Sequence, residues 1–499
     1  MMSLGLLGLF IVWVIDGNIA SKMKRFYNNK TALLISCIYL ITVLGLFHTA
    51  NFEFALDDLR RKLPLLLLPF LVAGFKSITK KELFTLLHLY ILGVLLATLW
   101  SLFVYLGGLG EPVIDSRDLS RFNSHIRFGL EIALAIFISL YFLFKSKDLK
   151  NRIIWATLSC WFIGSLLLFS LFSGLVVFSF TLIVLLISLS IQTKRTVLKR
   201  ISIPIFLFFA VNIGFFLGLS LFEFNANRME KTIEQIPYTL KGNKYRTDKR
   251  SQESSLKENG YFVEKHIADQ EFADAWNKRS EIDYDTLDRK GNEIKFTLRR
   301  FITSKGQRKD EEAINQLSPI EINAIENGVA NSKYLEMGYL KKRLFKILWE
   351  YEYYKEGRSN NGHSVLMRWE YWKTATQIIK KNWLFGVGTG DVQDAFNAQY
   401  IVANSSLEKE YRLRTHNQFL AYGVSLGLIG ILMFLFLTFY PLLKLRFYKK
   451  NIYLAFFSIV MLSMLFEDTL EVQAGINFFA FFNTLFLLKL KETQHTNER

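Results

Sequence analysis

Leu171-Phe-Ser-Gly-Leu-Val-Val-Phe-Ser-Phe-Thr-Leu-Ile-Val-Leu-Leu-Ile-Ser-Leu-Ser-Ile191 carries no charged side chain from end to end. At a rise of about 1.5 Å per residue, a helix of this length reaches across about 30 Å of hydrocarbon. The stretch is not isolated. Apolar runs also centre on residues 3–19, 31–50, 63–75, 83–108, 126–144, 153–170, 201–222, 416–440, 452–467 and 474–488, which with residues 171–191 makes eleven candidate spans. Phe172-Ser173-Gly174 marks the seam where one long run folds into two helices. The fold class expected is an all-α polytopic membrane protein.

Charge sets the expected orientation. Lys and Arg number 61 against 44 Asp and Glu, a net charge of +17. Much of that excess lies in short connections: Lys22/Lys24/Arg25/Lys30, Lys76/Lys80/Lys81, Lys145/Lys147/Lys150/Arg152, Lys194/Arg195/Lys199/Arg200 and Lys444/Arg446/Lys449/Lys450. The opposite side carries Glu467, Asp468 and Glu471. The positive-inside rule places the basic connections and the C-terminal tail in the cytoplasm, against anionic lipid, and the largest polar block outside. With that assignment the basic balance implies membrane lipids as partners and no nucleic acid, since no nucleic-acid-binding motif is present. Cys37 and Cys160 both fall inside apolar runs, which leaves no disulfide framework and no thiolate metal site. Residues 3–15 lack a basic n-region before them and a small-residue cleavage site after them, so they read as a retained helix.

The domain organisation expected is N-terminal transmembrane helices over 1–221, a large external loop domain over 222–415, C-terminal transmembrane helices over 416–490 and a cytoplasmic tail over 491–499. The loop carries helix signals of its own. Ser318-Pro319-Ile320-Glu321 is a capping box with proline at the first helical position. Further on, Leu340, Leu344, Ile347, Leu348 and Tyr351 form a helical stripe expected to pack on the loop's own core, with Lys341, Lys342, Arg343 and Lys346 around the other face.

Among the seven histidines, His416 is the best placed for catalysis, because it stands at the external mouth of a long apolar helix with Arg412 and Arg414 before it and Asn417 after it. That combination brings a titratable base and cationic donors together, although a histidine at a helix end also serves as an interfacial cap. Arg368 opens the amphipathic stretch Arg368-Trp-Glu-Tyr-Trp-Lys-Thr-Ala375. Arg127, in Ser124-His-Ile-Arg-Phe-Gly129, either snorkels to the interface or lines a polar site, and Arg228 poses the same question. Gly386, Gly388 and Gly390 lie in Asn382-Trp-Leu-Phe-Gly-Val-Gly-Thr-Gly-Asp391, where no Lys-Ser/Thr follows to make a nucleotide loop, so a tight turn is expected. His125, His363 and His416 with Glu467 and Asp468 show no metal-ligand spacing, and the site is expected to hold no metal and no cofactor.

Arg368-Trp-Glu-Tyr-Trp-Lys-Thr-Ala375, Asn382-Trp-Leu-Phe-Gly-Val-Gly-Thr-Gly390 and Thr415-His-Asn-Gln-Phe-Leu420, followed by Gly423, Gly427 and Gly430, resemble the O-antigen ligase and polymerase superfamily of bacterial envelope glycan enzymes. Phe466-Glu-Asp-Thr-Leu-Glu-Val-Gln-Ala-Gly475 looks like the version found in Bacteroidetes-type members. The resemblance implies a fold related to C-type glycosyltransferases, with about 11–12 transmembrane helices and one large, mainly helical periplasmic loop. It implies a multi-pass protein of the bacterial inner membrane that transfers a glycan from undecaprenyl diphosphate, without a metal, to lipid A-core or another glycan acceptor. His416 matches the family's essential loop histidine and Arg368 its essential arginine; Arg228 matches an earlier loop arginine by rough position. Arg127, Arg228, Arg412 and Arg414 are then expected to bind the donor diphosphate. A polysaccharide polymerase and a protein O-oligosaccharyltransferase of the same superfamily are the nearest alternatives. A glycan or lipid transporter is the reading from another class, against which the polar groups gather on one face.

Overall fold

The computed structural model describes residues 2–76, 78–108, 119–121, 123–192, 196–246, 256–355 and 361–495; Lys194 and Arg195 of the expected cytoplasmic set lie outside them. Two compact units divide the chain, one built on Met1–Glu111, Ser116–Phe206 and Met367–Arg499, the other on Leu207–Leu366.

In the first unit the apolar runs fold as helices. α1 (Met2–Ile15) and α2 (Ile19–Asn28) meet at 116°, across Gly17 and Asn18 in left-handed conformations. α3 (Lys30–Leu44), α4 (Phe52–Lys62), α5 (Pro64–Gly74), α6 (Lys80–Tyr105), α7 (His125–Lys145), α8 (Leu149–Leu168) and α9 (Phe172–Gln192) follow. The break between α8 and α9 falls at Phe169–Leu171, just ahead of the expected seam, whose Phe172-Ser173-Gly174 opens α9, with Ser170 at φ 56°. α10 (Thr196–Asn227) leads into the second unit. Among the described residues, six helices are long and apolar enough to cross a membrane, or seven if the bent α1–α2 pair is one span. Fewer of the described helices meet that length and composition than there are apolar runs. α5, with 11 residues, reaches only about 16 Å at the helical rise, so being apolar does not make it a crossing.

α7 is buried on every side over Ile132–Ile138, and an apolar helix without a polar face belongs at the centre of a bundle. It packs with α6, α8, α9 and α19 (Asn451–Ser463).

The second unit has its own core. α11 (Asp269–Asn277), α12 (Ile294–Ser304), α13 (Glu311–Asn315) and α14 (Pro319–Glu326) enclose Phe272, Trp276, Leu298, Phe301, Ile314 and Ile325. Ser318 and Glu321 form the expected capping box. β1 (Lys257–Glu258) and β2 (Tyr261–Phe262) are a two-stranded antiparallel hairpin turned by Asn259-Gly260, both at positive φ as such a turn requires. α15 (Tyr339–Lys355) does pack on this unit, but through Phe345 and Trp349 against Phe224 and Tyr334. Leu340 and Tyr351 of the expected stripe are exposed, because the aromatic pair removes more apolar surface from water and sets the helix's rotation.

α16 (Ser364–Lys381), α17 (Val392–Val402), α18 (Gln418–Lys444), α19 and α20 (Gln473–His495) complete the chain, and residues 367–415 pack within the first unit. The glycine-rich turn between α16 and α17 docks on α18 where that helix is broken at Gly427. Val387 N donates to Val424 O and Gly388 N to Ser425 O, both at 2.9 Å, while Leu428 N donates to Trp383 O at 2.8 Å. A Cβ on Gly386 or Gly427 would collide with the backbone opposite, so the glycines permit two main chains to meet and satisfy the groups freed by the break. The same turn fixes α4. Asp391 accepts from Ala50 N (2.8 Å) and Asn51 N (2.7 Å), and Asn51 caps α4 by accepting from Phe54 N.

Candidate active site

His416 occupies the residue before the cap of α18, at φ 45°, a left-handed conformation that a non-glycine residue adopts at a cost. Its neighbours enforce that geometry. Thr415 Oγ1 donates to Asn417 O at 2.9 Å, Trp372 Nε1 donates to Thr415 O at 3.0 Å, and the Asn417 side chain caps the helix by accepting from Leu420 N. Asn417 Nδ2 also donates to Leu465 O (2.8 Å), and Gln418 N donates to Met464 O (2.9 Å). The Thr-His-Asn-Gln segment is thereby laced to the segment between α19 and α20.

That lacing brings acidic groups to the imidazole. His416 Nδ1 lies 3.9 Å from Glu467 Oε2 and 3.8 Å from Asp468 Oδ1. These are charge contacts, too long for hydrogen bonds, and Nδ1 is buried without a hydrogen-bond partner. The Tyr371 ring packs beside the imidazole, centroids 5.7 Å apart, and its hydroxyl donates to Tyr411 O. Arg368 closes the other side, Nη2 at 2.7 Å from Glu467 Oε1 and Nε donating to Phe466 O at 3.2 Å. Arg414 Nη1 is 3.7 Å from Glu471 Oε2.

The carboxyls have different environments. Burial opposes ionisation of Glu467, but the imidazole and the Arg368 guanidinium outweigh it and hold its carboxyl below the ordinary range. Burial dominates at Asp468 and pushes its carboxyl up. Glu471 is buried as well, yet Lys62 and Arg414 keep it well below the ordinary range.

Of the residues expected from sequence, Arg368, Arg414 and His416 converge here. Arg412 turns back on its own segment, Nε donating to Leu407 O. Arg127 donates to Ser124 Oγ at 3.0 Å, and among the described residues no hydrogen bond or ion pair joins it to the His416 group. Arg228 belongs to the second unit, where it pairs with Glu352 at 2.8 Å. The sequence reading used Glu467, Asp468 and Glu471 only as markers of sidedness or as a weak ligand set, and it missed Asp58, Lys62 and Tyr371. Three carboxylates within five residues, beside an apolar helix, were the available signal.

The fold also brings together a donor set that spacing did not reveal. The ligand atoms of His416, Glu467 and Asp468 lie within 4.8 Å of one another, and an imidazole with two carboxylates is chemically able to hold a divalent cation. His363 is in the second unit, 3.7 Å from Glu350.

No curated protein matches the chain. A family model described as O-Antigen ligase matches residues 319–435, which include α14 to α17, the glycine-rich turn, Arg368, His416 and the first two thirds of α18. The match supports a glycosyltransferase-like function of the O-antigen ligase or polymerase type, with a lipid-linked glycan and a glycan acceptor as partners in general terms, in a multi-pass membrane protein. The match, confined to residues 319–435, supports membership of the O-antigen ligase superfamily.

Proposed function

We propose that the protein moves a glycan from undecaprenyl diphosphate to an acceptor, lipid A-core in the first instance, at the periplasmic face of the bacterial inner membrane, with His416 as the base. The observation that carries the reading is the arrangement at the mouth of α18. An imidazole in a strained backbone conformation directs Nδ1 at two carboxylates, which leaves Nε2 for the incoming hydroxyl.

In the transfer, the acceptor oxygen forms a bond to the sugar's anomeric carbon as its proton passes to His416, and the bond from that carbon to the diphosphate oxygen breaks with inversion. Glu467 and Asp468 stabilise the imidazolium that forms. The negative charge that develops on the departing diphosphate calls for fixed cations, the role proposed for Arg414 and Arg368 here and for Arg127, Arg228 and Arg412 from their own places in the chain. No step requires a metal.

The test is transfer by the purified protein in nanodiscs, with EDTA present throughout. His416→Ala abolishes transfer while donor binding survives; a variant that keeps the wild-type rate makes His416 an interfacial cap. Loss of activity in EDTA that added Mg²⁺ or Mn²⁺ restores overturns the metal-free mechanism. The product separates the related readings, since a ligase modifies lipid A-core, a polymerase lengthens the glycan on its carrier and an oligosaccharyltransferase modifies protein. A transporter yields none of these.

A further inference from the structure

Next to the His416 group is a cavity of about 20 Å³, room for a water, whose wall includes Asp58, Lys62, Arg414, Asp468 and Glu471. Lys62 is 4% exposed, Asp58 2% and Glu471 8%. The Lys62 ammonium lies 2.7 Å from Asp58 Oδ2 and 2.9 Å from Glu471 Oε1. Asp58 and Lys62 are one turn apart on α4; Glu471 comes from the segment between α19 and α20. The charges alternate through the unit: Arg368 against Glu467, Glu467 and Asp468 against His416, Arg414 against Glu471, Glu471 against Lys62 and Lys62 against Asp58.

A buried ion pair is a weak source of stability, because desolvation offsets most of the Coulomb attraction, and an apolar trio would hold α4 in place as well. An apolar trio would not aim a carboxylate. Glu471 Oε1 receives both the Lys62 ammonium and Gln418 Nε2 (3.2 Å), while Gln418 Oε1 accepts from Leu470 N at 2.6 Å. We propose that Lys62 is a positioning residue for the His416 centre: it fixes the Glu471 carboxylate, which with Gln418 and Arg414 sets the register of residues 464–471 so that Glu467 and Asp468 face the imidazole. The inference rests on the reading of His416 as the base.

Lys62→Met alone strands two buried carboxylates, so loss of fold would imitate loss of rate. The double variant Asp58→Asn/Lys62→Met removes one charge of each sign, keeps the net charge and still breaks the contact to Glu471. The assay uses full-length protein in nanodiscs and the undecaprenyl-diphosphate-linked glycan pool extracted from cells that lack the protein. In the double variant, kcat falls by about tenfold or more, KM for that pool stays within about twofold, and the melting midpoint is unchanged. Glu471→Gln gives the same kcat loss, and adding it to the double variant brings no further loss, because both changes interrupt one path. Full kcat in the double variant, with His416→Ala inactive, overturns the role of Lys62 and leaves the base reading standing. Full rate in His416→Ala overturns the base reading and this proposal with it. A kcat loss accompanied by a lowered melting midpoint marks a structural role and counts against positioning.

Discussion

Replacing Arg368 is the sharpest probe of the charge arrangement around His416. Its Nη2 contacts Glu467 at 2.7 Å and its Nε donates to Phe466 O at 3.2 Å, so the guanidinium spans a side chain and the adjacent backbone. Glu467 is buried, and breaking such a pair costs about 3–5 kcal/mol when both partners are enclosed. Arg368 keeps 23% of its side chain exposed, so solvent screening lowers that to about 2–3 kcal/mol. Expressed in the transition state, this is a loss of roughly 30- to 150-fold in transfer rate for Arg368→Ala. Arg368→Lys is expected within about fivefold of the alanine variant, since one ammonium cannot meet both acceptors as the planar fork does. Acid stability moves in a defined direction. Because the Glu467 carboxyl is held below its ordinary value of 4.5, it contributes stability that is complete above that value and fades as pH falls through the lowered one; without Arg368 that contribution shrinks. Transfer rates and acid unfolding of the two variants provide the measurement. Full rescue by lysine would show that charge alone matters, and a wild-type rate for Arg368→Ala would refute the argument.

Cysteine labelling tests topology: from outside the cell, Lys290→Cys should react and Thr196→Cys should not, in a background without Cys37 and Cys160, and the reverse pattern removes the external-site mechanism. Burial lowers the pKa of Lys309, which is fully enclosed, to about 7, so its contribution to stability rises between about pH 7 and its ordinary value of 10.5. Lys309→Met should therefore stabilise the protein at neutral pH by roughly 1–3 kcal/mol and flatten that pH dependence, the removed charge outweighing the lost hydrogen bond to Lys265 O; unfolding that is unchanged across this range would count against it. Gly427→Ala and Gly386→Ala each force apart main chains in contact and should lower the melting midpoint by several degrees, on the order of 2 kcal/mol or more; a neutral result at both would mean that the turn is not held against α18.

What could be read in advance follows the range of the forces involved. Apolar runs became helices because hydrophobic length and intrahelical hydrogen bonding are local, and the capping box at Ser318 was legible because its two hydrogen bonds close within four residues. Composition does not reveal where a helix stops, so an apolar run such as the one that forms α5 yields a helix of only 11 residues. The glycines at 386, 388 and 390 pointed to a turn, but not to its partner: nothing near them announces that α18 breaks at Gly427 to receive it.

The site divides along the same line. Arg368 and His416 belong to short motifs, and a histidine at a helix mouth is recognisable where it stands. Glu467 and Asp468 are visible in the sequence only as charges that mark sidedness, because their approach to His416 depends on hydrogen bonds that join Asn417 and Gln418 with a segment some fifty residues away. Lys62 is the extreme case. Its nearer partner, Asp58, is four residues back, and a charged pair directly before the apolar run from Pro64 already implies that both groups need compensation. The sequence could therefore show that α4 carries a buried charge seeking a counter-ion. That the counter-ion is Glu471, more than four hundred residues later, follows only once α4 is docked by Asp391 and the glycine turn, so the packing of the turn on α18 and the chemistry at His416 are consequences of one arrangement.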